Sequence, residues 1–259
     1  MLYPILAIGD VVGEEGLQHL QRHLRRVKRE KDIAFTVVNG ENIAGNGLKP
    51  SHAEDLFAAG ADVITLGNHT WGKMQIADYL DECPYILRPA NYTSRVPGRG
   101  YGVYDCGRIR IAVMNLIGRC DLDFHAENPF TTADKLLLQE TEKPTFTLVD
   151  FHAEATSEKL AMGYWLDGRV SAVWGTHTHV PTADERVMPK GSGYITDLGM
   201  TGPVESVLGI RPEQSVELFL GGLPGRFVTA SGSCKMQGVI FTLDSNTGLC
   251  TAVERIDIR

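Results

Sequence analysis

The first 66 residues alternate between two hydrophobic periods, and that alternation restricts the fold more than any other feature of the chain. Apolar runs at residues 2–8, 33–38 and 63–66 read as strands. Between them, residues 17–31 place Leu17, Leu20, Leu24 and Val27 on one helical face and Arg22, Arg25, Arg26 and Arg29 on the rest. Residues 50–59 open with Pro50 and close at Gly60, as a second helix would. A βαβαβ order implies parallel strands joined by right-handed crossovers. Parallel strands bring their carboxyl ends to one edge, where open α/β folds build their sites.

The later chain adds to this core. Residues 101–106 and 109–116 predict a hairpin around Gly107-Arg108. A helix is expected at 132–140, a strand at 146–151, a helix at 157–166 and a strand at 170–174. The last third reads mainly as strand, at 194–196, 226–230, 237–243 and 251–256, with one helix at 213–220. No internal repeat or linker is visible, so one domain over residues 1–259 with two sheets and outer helices is expected. Residues 40–47 are glycine-rich but lack the Gly-Lys-Ser/Thr ending of a P-loop.

Composition narrows the class. The 259 residues carry 25 Lys+Arg against 32 Asp+Glu, a net charge of −7, which argues against broad nucleic-acid binding. It leaves open a nucleotide held through metal cations. Five cysteines without a C-x-x-C pair argue against a disulfide framework or a cysteine zinc site, and point to a cytoplasmic, reduced protein. The apolar start is short, lacks a basic leader and runs into Gly9-Asp10, so it reads as a strand and not a signal peptide. No run approaches membrane-spanning length.

The strand ends carry the chemistry. Gly9-Asp10, Gly40-Glu41-Asn42, Gly67-Asn68-His69, His152 and Gly175-Thr176-His177-Thr178-His179 each follow an apolar run. Carboxylate, amide oxygen and imidazole together suit Zn, Mn or Fe. They are too many for one four-coordinate ion, and a pair of ions sharing a carboxylate uses them economically. Each residue has an ordinary alternative: Asp10 as a helix cap, Asn68 as a left-handed turn residue, His69 or His152 as a structural histidine. That all hold such roles at successive strand ends is the weaker reading. His19 and His23, four apart, lie among arginines and read as a solvated face. His52 reads as surface, and His125 lies in a 121–129 loop placed to overhang the site.

The order of these motifs resembles calcineurin-like metallophosphoesterases, and their wording resembles the YmdB-type phosphodiesterases within them. The matching stretches are IGDVVG at 8–13, VNGENIAGNG at 38–47, TLGNHTW at 65–71, LRPANY at 87–92, DFHAEATSEK at 150–159, GTHTHVPTADER at 175–186 and YITDLGMTGP at 194–203. Two positions depart from the wider superfamily. Val12 stands where its Asp-x-His motif has histidine, and Glu41 replaces its bridging aspartate, with Asn42 beside it. Both departures look typical of the YmdB branch.

The resemblance implies an α/β fold, a four-layer α/β/β/α sandwich with two mixed sheets. It implies two divalent ions per chain, Fe or Mn, with Zn as an alternative. Asp10, Glu41, Asn42 and His179 would hold one ion, and Asn68, His152 and His177 the second, with Glu41 bridging. His69 would be the catalytic, non-ligand histidine, protonating the leaving oxygen or stabilising the phosphoryl group. Two such ions, about 3.5–4 Å apart, clamp a phosphate and lower the pKa of a shared water toward neutrality, giving hydroxide for in-line attack. A histidine of ordinary pKa near 6.5 is then suited to act as general acid.

The implied function is hydrolysis of small phosphodiesters, especially 2′,3′-cyclic nucleotides. A phosphomonoesterase or nucleotidase on the same metals is the nearest rival. A regulatory nucleotide-binding protein would be expected to have lost His69 or several ligands, and an amidohydrolase would carry its His-x-His pair early. Residues 88–102 and 199–212 are candidates to shape substrate access or a contact in a homo-oligomer. The residue pattern leaves the roles of Asn91 and Asp197 open.

Overall fold

The structure is a computed structural model that describes residues 1–122, 125–139, 143–223 and 225–259. Its first half contains β1 (Leu2–Ile8), β2 (Asp10–Val11), α1 (Gly13–Glu30), β3 (Phe35–Asn39), α2 (Pro50–Ala59), β4 (Val63–Thr65), α3 (Ile76–Glu82), β5 (Ile86–Leu87), β6 (Tyr101–Asp105) and β7 (Arg110–Ile117). There follow α4 (Pro129–Gln139), β8 (Phe146–His152), α5 (Thr156–Leu166), β9 (Ala172–Thr176), β10 (Arg186–Val187), β11 (Gly193–Ile195), β12 (Met200–Pro203), α6 (Pro212–Phe219), β13 (Cys234–Asp244) and β14 (Leu249–Ile258).

The strands form two mixed sheets. The first runs β2-β12-β13-β1-β3-β4-β5, with β14 paired along β13; the second runs β10-β11-β9-β8-β7-β6. Register aligns the strand ends that matter. Ile8 pairs with Val38, Val38 with Ile64, Ile117 with His152, and His152 with Thr176.

Alternation along β1 decides which face goes where, because successive side chains point to opposite sides of a strand. Leu6 and Ile8 join Val38 and Ile64 in a core with Leu17, Leu20 and Leu24 of α1 and Leu56 of α2. Ile5 and Ala7 point the other way, with Val37 and Val63, and pack against Ile111, Val113, Leu148 and Trp174 of the second sheet. The outer face of that sheet sends Val149, Phe151 and Val173 against Met162 and Leu166 of α5. Strands covered on both faces read as continuous apolar runs, which is why the sequence shows them so plainly.

Several expectations shift. The first helix starts at Gly13, four residues before the expected Leu17, with Glu14 and Glu15 in its first turn, where acidic groups favour the helix dipole. The helix expected at 132–140 begins at Pro129, and Glu140 lies outside the described residues. Residues 226–230 form no strand: Thr229 makes an isolated bridge to Ile210, flanked by single hydrogen bonds from Arg211 N–H to the Val228 carbonyl and from Ala230 N–H to the Gly209 carbonyl, and residues 225–228 are exposed. The short β2, β5, β10 and β12 and the helix α3 were not anticipated. In β12, Gly202 and Pro203 disguise a strand that β2 and β13 complete. His19 is not on a solvated face; it is 6% exposed, and its Nε2 bonds the Ile258 carbonyl at 3.0 Å, tying α1 to β14.

Trp174 sits between the sheets, 1% exposed, its ring 5.7 Å from that of Phe241. Trp174→Ala is expected to lower unfolding free energy by about 3–5 kcal/mol, read from the urea midpoint, with helical circular dichroism retained before the transition.

Candidate metal centre

The carboxyl ends of the parallel strands in both sheets converge. Asp10 follows β1, Glu41 and Asn42 follow β3, and Asn68 and His69 follow β4 in the first sheet; His152 ends β8 and His177 and His179 follow β9 in the second. His152 belongs to its strand and does not lie beyond it.

Two groups of donors face each other. In one, His152 Nε2 lies 2.9 Å from Asn68 Oδ1, 3.1 Å from His177 Nδ1 and 2.9 Å from Glu41 Oε1. One imidazole nitrogen has a single proton at most, so it cannot satisfy three acceptors together. Glu41 Oε1 is buried and makes no hydrogen bond, although it is in ionic contact with that nitrogen. Glu41, His152 and His177 have ligand atoms within 4.8 Å of one another. In the second group, His179 Nε2 lies 3.7 Å from Asp10 Oδ1, and Asn42 Nδ2 lies 3.1 Å from His179 Nε2 and 3.4 Å from Asp10 Oδ1. A flip of the Asn42 amide would turn its oxygen to the same point, since the two amide orientations are assigned from partners alone.

The other nitrogen of each imidazole is already engaged. His152 Nδ1–H donates to Thr176 Oγ1 at 2.9 Å, and Thr176 Oγ1–H donates to Asp150 Oδ1 at 2.8 Å. Thr65 completes this buried support by donating to Asp150 Oδ2 at 2.5 Å. His177 Nε2–H faces Glu154 Oε2 at 3.0 Å. His179 Nδ1–H donates to the Leu208 carbonyl at 3.0 Å. Each outer partner therefore leaves the second nitrogen turned inward: Nε2 of His152, Nδ1 of His177 and Nε2 of His179. Outer hydrogen bonds of this kind set tautomer and ring direction in metal-binding histidines. The donor set fits divalent cations of the Mn, Fe or Zn type.

The backbone confirms that the turn is held against its own preference. His177 has φ 100° and His179 φ 63°, both in the left-handed region. Non-glycine residues there are each held at a cost of order 1–3 kcal/mol by their surroundings. Asp10 Oδ2 accepts the His177 N–H at 3.1 Å as part of that hold. Asn68, by contrast, does not take the left-handed conformation, and Asp10 does not cap α1, whose N-cap is Val12. Val12 is itself buried under the loop around Gly209, where a Cβ would come within 2.4 Å of its Cγ1.

The charges call for a cation. Burial opposes ionisation of Asp10, but the hydrogen bond and charge of His179 hold its carboxyl well below the usual range. Burial also opposes a charge on His152, yet the Glu41 carboxylate lifts its imidazole to about 9. Burial and the neighbouring His152 push His177 down to about 4. The proton on His152 answers the buried carboxylates, and a cation at the same place would take over its charge.

His69 stands beside this group. Its backbone N–H donates to Glu41 Oε2 at 3.1 Å, and its Nδ1 pairs with Asn46 Oδ1, which leaves Nε2 for another partner. Asn91 lies elsewhere, donating to the Ile117 and Glu127 carbonyls at 2.8 and 2.9 Å and so pinning its loop. His125 is exposed, and residues 123 and 124 of its expected overhanging loop lie outside the described residues. Of the two long segments, 199–212 reaches the centre through Leu208. Asn46, Asp150, Glu154, Thr176 and Leu208 were not singled out from sequence. Asn46, Thr176, Asp150 and Glu154 lay within quoted motifs, but only the fold reveals what they touch.

Gly67 is fixed by space. A Cβ there would lie 2.3 Å from His152 Cδ2 and Nε2 and 2.5 Å from Glu41 Oε2. Gly67→Ala is expected to displace both side chains and weaken divalent-metal binding by at least about tenfold, measured by titration calorimetry with Mn²⁺.

Known proteins resemble this chain along nearly its whole length. The model of the family described as YmdB-like protein matches residues 6–256. A 2′,3′-cyclic-nucleotide 2′-phosphodiesterase of Bacillus subtilis (strain 168) is 45% identical over 253 residues, covering 97% of this chain and 96% of that protein. A crystal structure described as a novel phosphatase from Mycoplasma pneumoniae is 37% identical, with a TM-score of 0.93 over 100% of this chain and 94% of that one. A Staphylococcus aureus chain assigned as a 5′-nucleotidase, 15% identical with a TM-score of 0.64 over 100% of this chain and 54% of that one, shares the fold alone. With a family match from residue 6 to residue 256 and full-length relatives at 45% and 37% identity, this chain belongs to the YmdB-like family.

Proposed function

We propose that this chain is a dinuclear-metal phosphodiesterase acting on small phosphodiesters, with 2′,3′-cyclic nucleotides as its substrate class. One observation carries the metal reading. Asn68 Oδ1, His177 Nδ1 and Glu41 Oε1 crowd within 2.9–3.1 Å of a single buried nitrogen, and Glu41 Oε1 has no hydrogen bond. The substrate class is supported by the Bacillus subtilis relative, 45% identical along nearly its full length. The same reading carries a single domain over residues 1–259 and the four-layer α/β/β/α arrangement, supported by one core between the sheets and one on each outer face.

In this reading Asp10, Glu41, Asn42 and His179 hold one ion and Asn68, His152 and His177 the other. Glu41 would bridge the two, as the family resemblance implies; one of its oxygens faces His152 and the other accepts the His69 N–H. Fe or Mn suits the mixed nitrogen and oxygen donors, with Zn as the alternative. The ions, when bound, supply a water of lowered pKa and positive charge for the phosphoryl oxygens. The protein supplies position: the donor groups are brought together where the carboxyl ends of the two sheets meet. His69, oriented by Asn46 through Nδ1, would act as its imidazolium, giving the Nε2 proton to the leaving oxygen; burial lowers its pKa below the ordinary histidine value, against the expectation of an unperturbed group.

The test is elemental analysis of protein purified without chelator, followed by removal and return of Mn²⁺ or Fe²⁺, with 2′,3′-cyclic nucleotides and matched monoesters assayed together. Metal content and turnover should rise together, diesters above monoesters. A preference for monoesters would favour the phosphatase reading that the Mycoplasma pneumoniae relative's description raises. His177→Ala and Asn68→Ala should each lower metal content and turnover in parallel, by more than the roughly 10–100-fold typical of outer partners. A protein carrying no transition metal and gaining nothing from added ions would sink the proposal.

His69→Ala is expected to retain both ions and lose about 10²–10⁴-fold in kcat. The loss should be smaller for a nitrophenyl ester, whose leaving group needs little protonation, than for a cyclic nucleotide. Equal losses would argue for electrostatic stabilisation instead of proton donation, and loss of metal would make His69 a ligand.

A further inference from the structure

The chemistry above leaves one buried pair of opposite charges unused. Lys159 of α5 and Asp197, two residues beyond β11, are each 1% exposed, with Nζ 2.7 Å from Oδ2. An ion pair taken wholly out of water is a poor source of stability, because desolvation offsets the attraction. Its other contacts say what it does. Asp197 Oδ2 also accepts the Thr178 N–H at 3.2 Å, and Oδ1 accepts the Gly199 N–H at 2.9 Å. Thr178 lies between His177 and His179, whose backbones are both left-handed. The lysine stem crosses directly beneath Gly175, where a Cβ would come 2.8 Å from its Cδ and Cε and 1.9 Å from the Thr196 carbonyl oxygen. The pair thus fills the floor under the end of β9 and grips the middle of the turn, while Asp10 Oδ2 grips its start at His177 N–H.

We propose that Lys159 and Asp197 are positioning residues, a buried clamp that holds the Thr176–His179 turn so that His177 and His179 present their lone pairs to the two ions. The clamp acts through the backbone of Thr178 and touches neither ligand atom. Lys159 fixes the rotamer and charge of Asp197, and Asp197 fixes the turn. This inference rests on the metal reading of the site and extends it to the part of the protein that keeps the site formed before any ion arrives. Prearranged donors bind more tightly because less ordering remains to be done on binding.

Two variants separate clamping from general stability. Asp197→Asn keeps the shape but breaks the ion pair. The double variant Lys159→Met/Asp197→Leu removes both charges together, a replacement that often restores stability at buried pairs, yet leaves the Thr178 N–H without its acceptor. Mn²⁺ affinity is read by titration calorimetry, the unfolding midpoint by thermal melt, and kcat at saturating Mn²⁺. Both variants should bind Mn²⁺ about 10–100-fold more weakly, the effect typical of groups that orient metal ligands, with most of kcat regained at saturating metal. The double variant should do so while melting at or above the single variant. A double variant that binds Mn²⁺ as tightly as the wild type overturns the clamp. Wild-type protein that binds no divalent ion removes the metal reading itself, so the two failures are distinct.

Discussion

A carboxylate from one sheet meets an imidazole from the other, Glu41 Oε1 to His152 Nε2 at 2.9 Å, with neither side chain exposed to solvent. A buried carboxylate surrounded by lone pairs is unfavourable without a compensating positive charge. Against the opposing effect of burial, the Glu41 carboxylate raises the His152 pKa to about 9, which favours a compensating proton there; in our proposal cations take that role. Much of the surrounding structure follows from this contact. The two sheets must pack so that the ends of β3 and β8 come level, and the register Ile8–Val38–Ile64 on one side and Ile117–His152–Thr176 on the other does that.

Around the contact, the supports differ in kind. His152 is backed by Thr176 and Asp150 inside the protein, with no exposed member. His177 is backed by Glu154, whose side chain is 48% exposed, and His179 by a backbone carbonyl on the 204–210 loop. The interior support belongs to the packed sheet and shares its rigidity. The outer two depend on a surface carboxylate and a loop, elements drawn from the less stable end of a structure. The turn that carries His177 and His179 is correspondingly the place where backbone strain and a buried ion pair are concentrated.

The same packing also encloses Val12 and Asn42. Val12 is buried and covered by the loop around Gly209, the loop that also offers its Leu208 carbonyl to His179. One segment thus packs on Val12 and orients His179. Asn42 lies against Asp10 and His179, bringing an amide from the adjacent strand end to that group.

Sequence alone determined the parallel core and the residues at its ends. Strands buried on both faces must be continuously apolar, so β1, β3, β4, β8 and β9 announce themselves; glycine followed by Asp10, Glu41 or Asn68 marks the ends of the first three, and His152 and His177 mark the ends of the other two. It did not reveal β2 or β12, because two to four residues carry no period and are strands only through the partners that flank them. It misplaced His19, whose burial depends on β14 returning from the far end of the chain. It could name the candidate ligands but not which nitrogen each histidine turns inward. That choice belongs to Thr176, Glu154 and Leu208, whose places beside the imidazoles arise from sheet packing and loop return. Nor could it give Lys159 and Asp197 a meaning, since 38 residues separate them and only the tertiary fold removes both from water and sets them under the same turn.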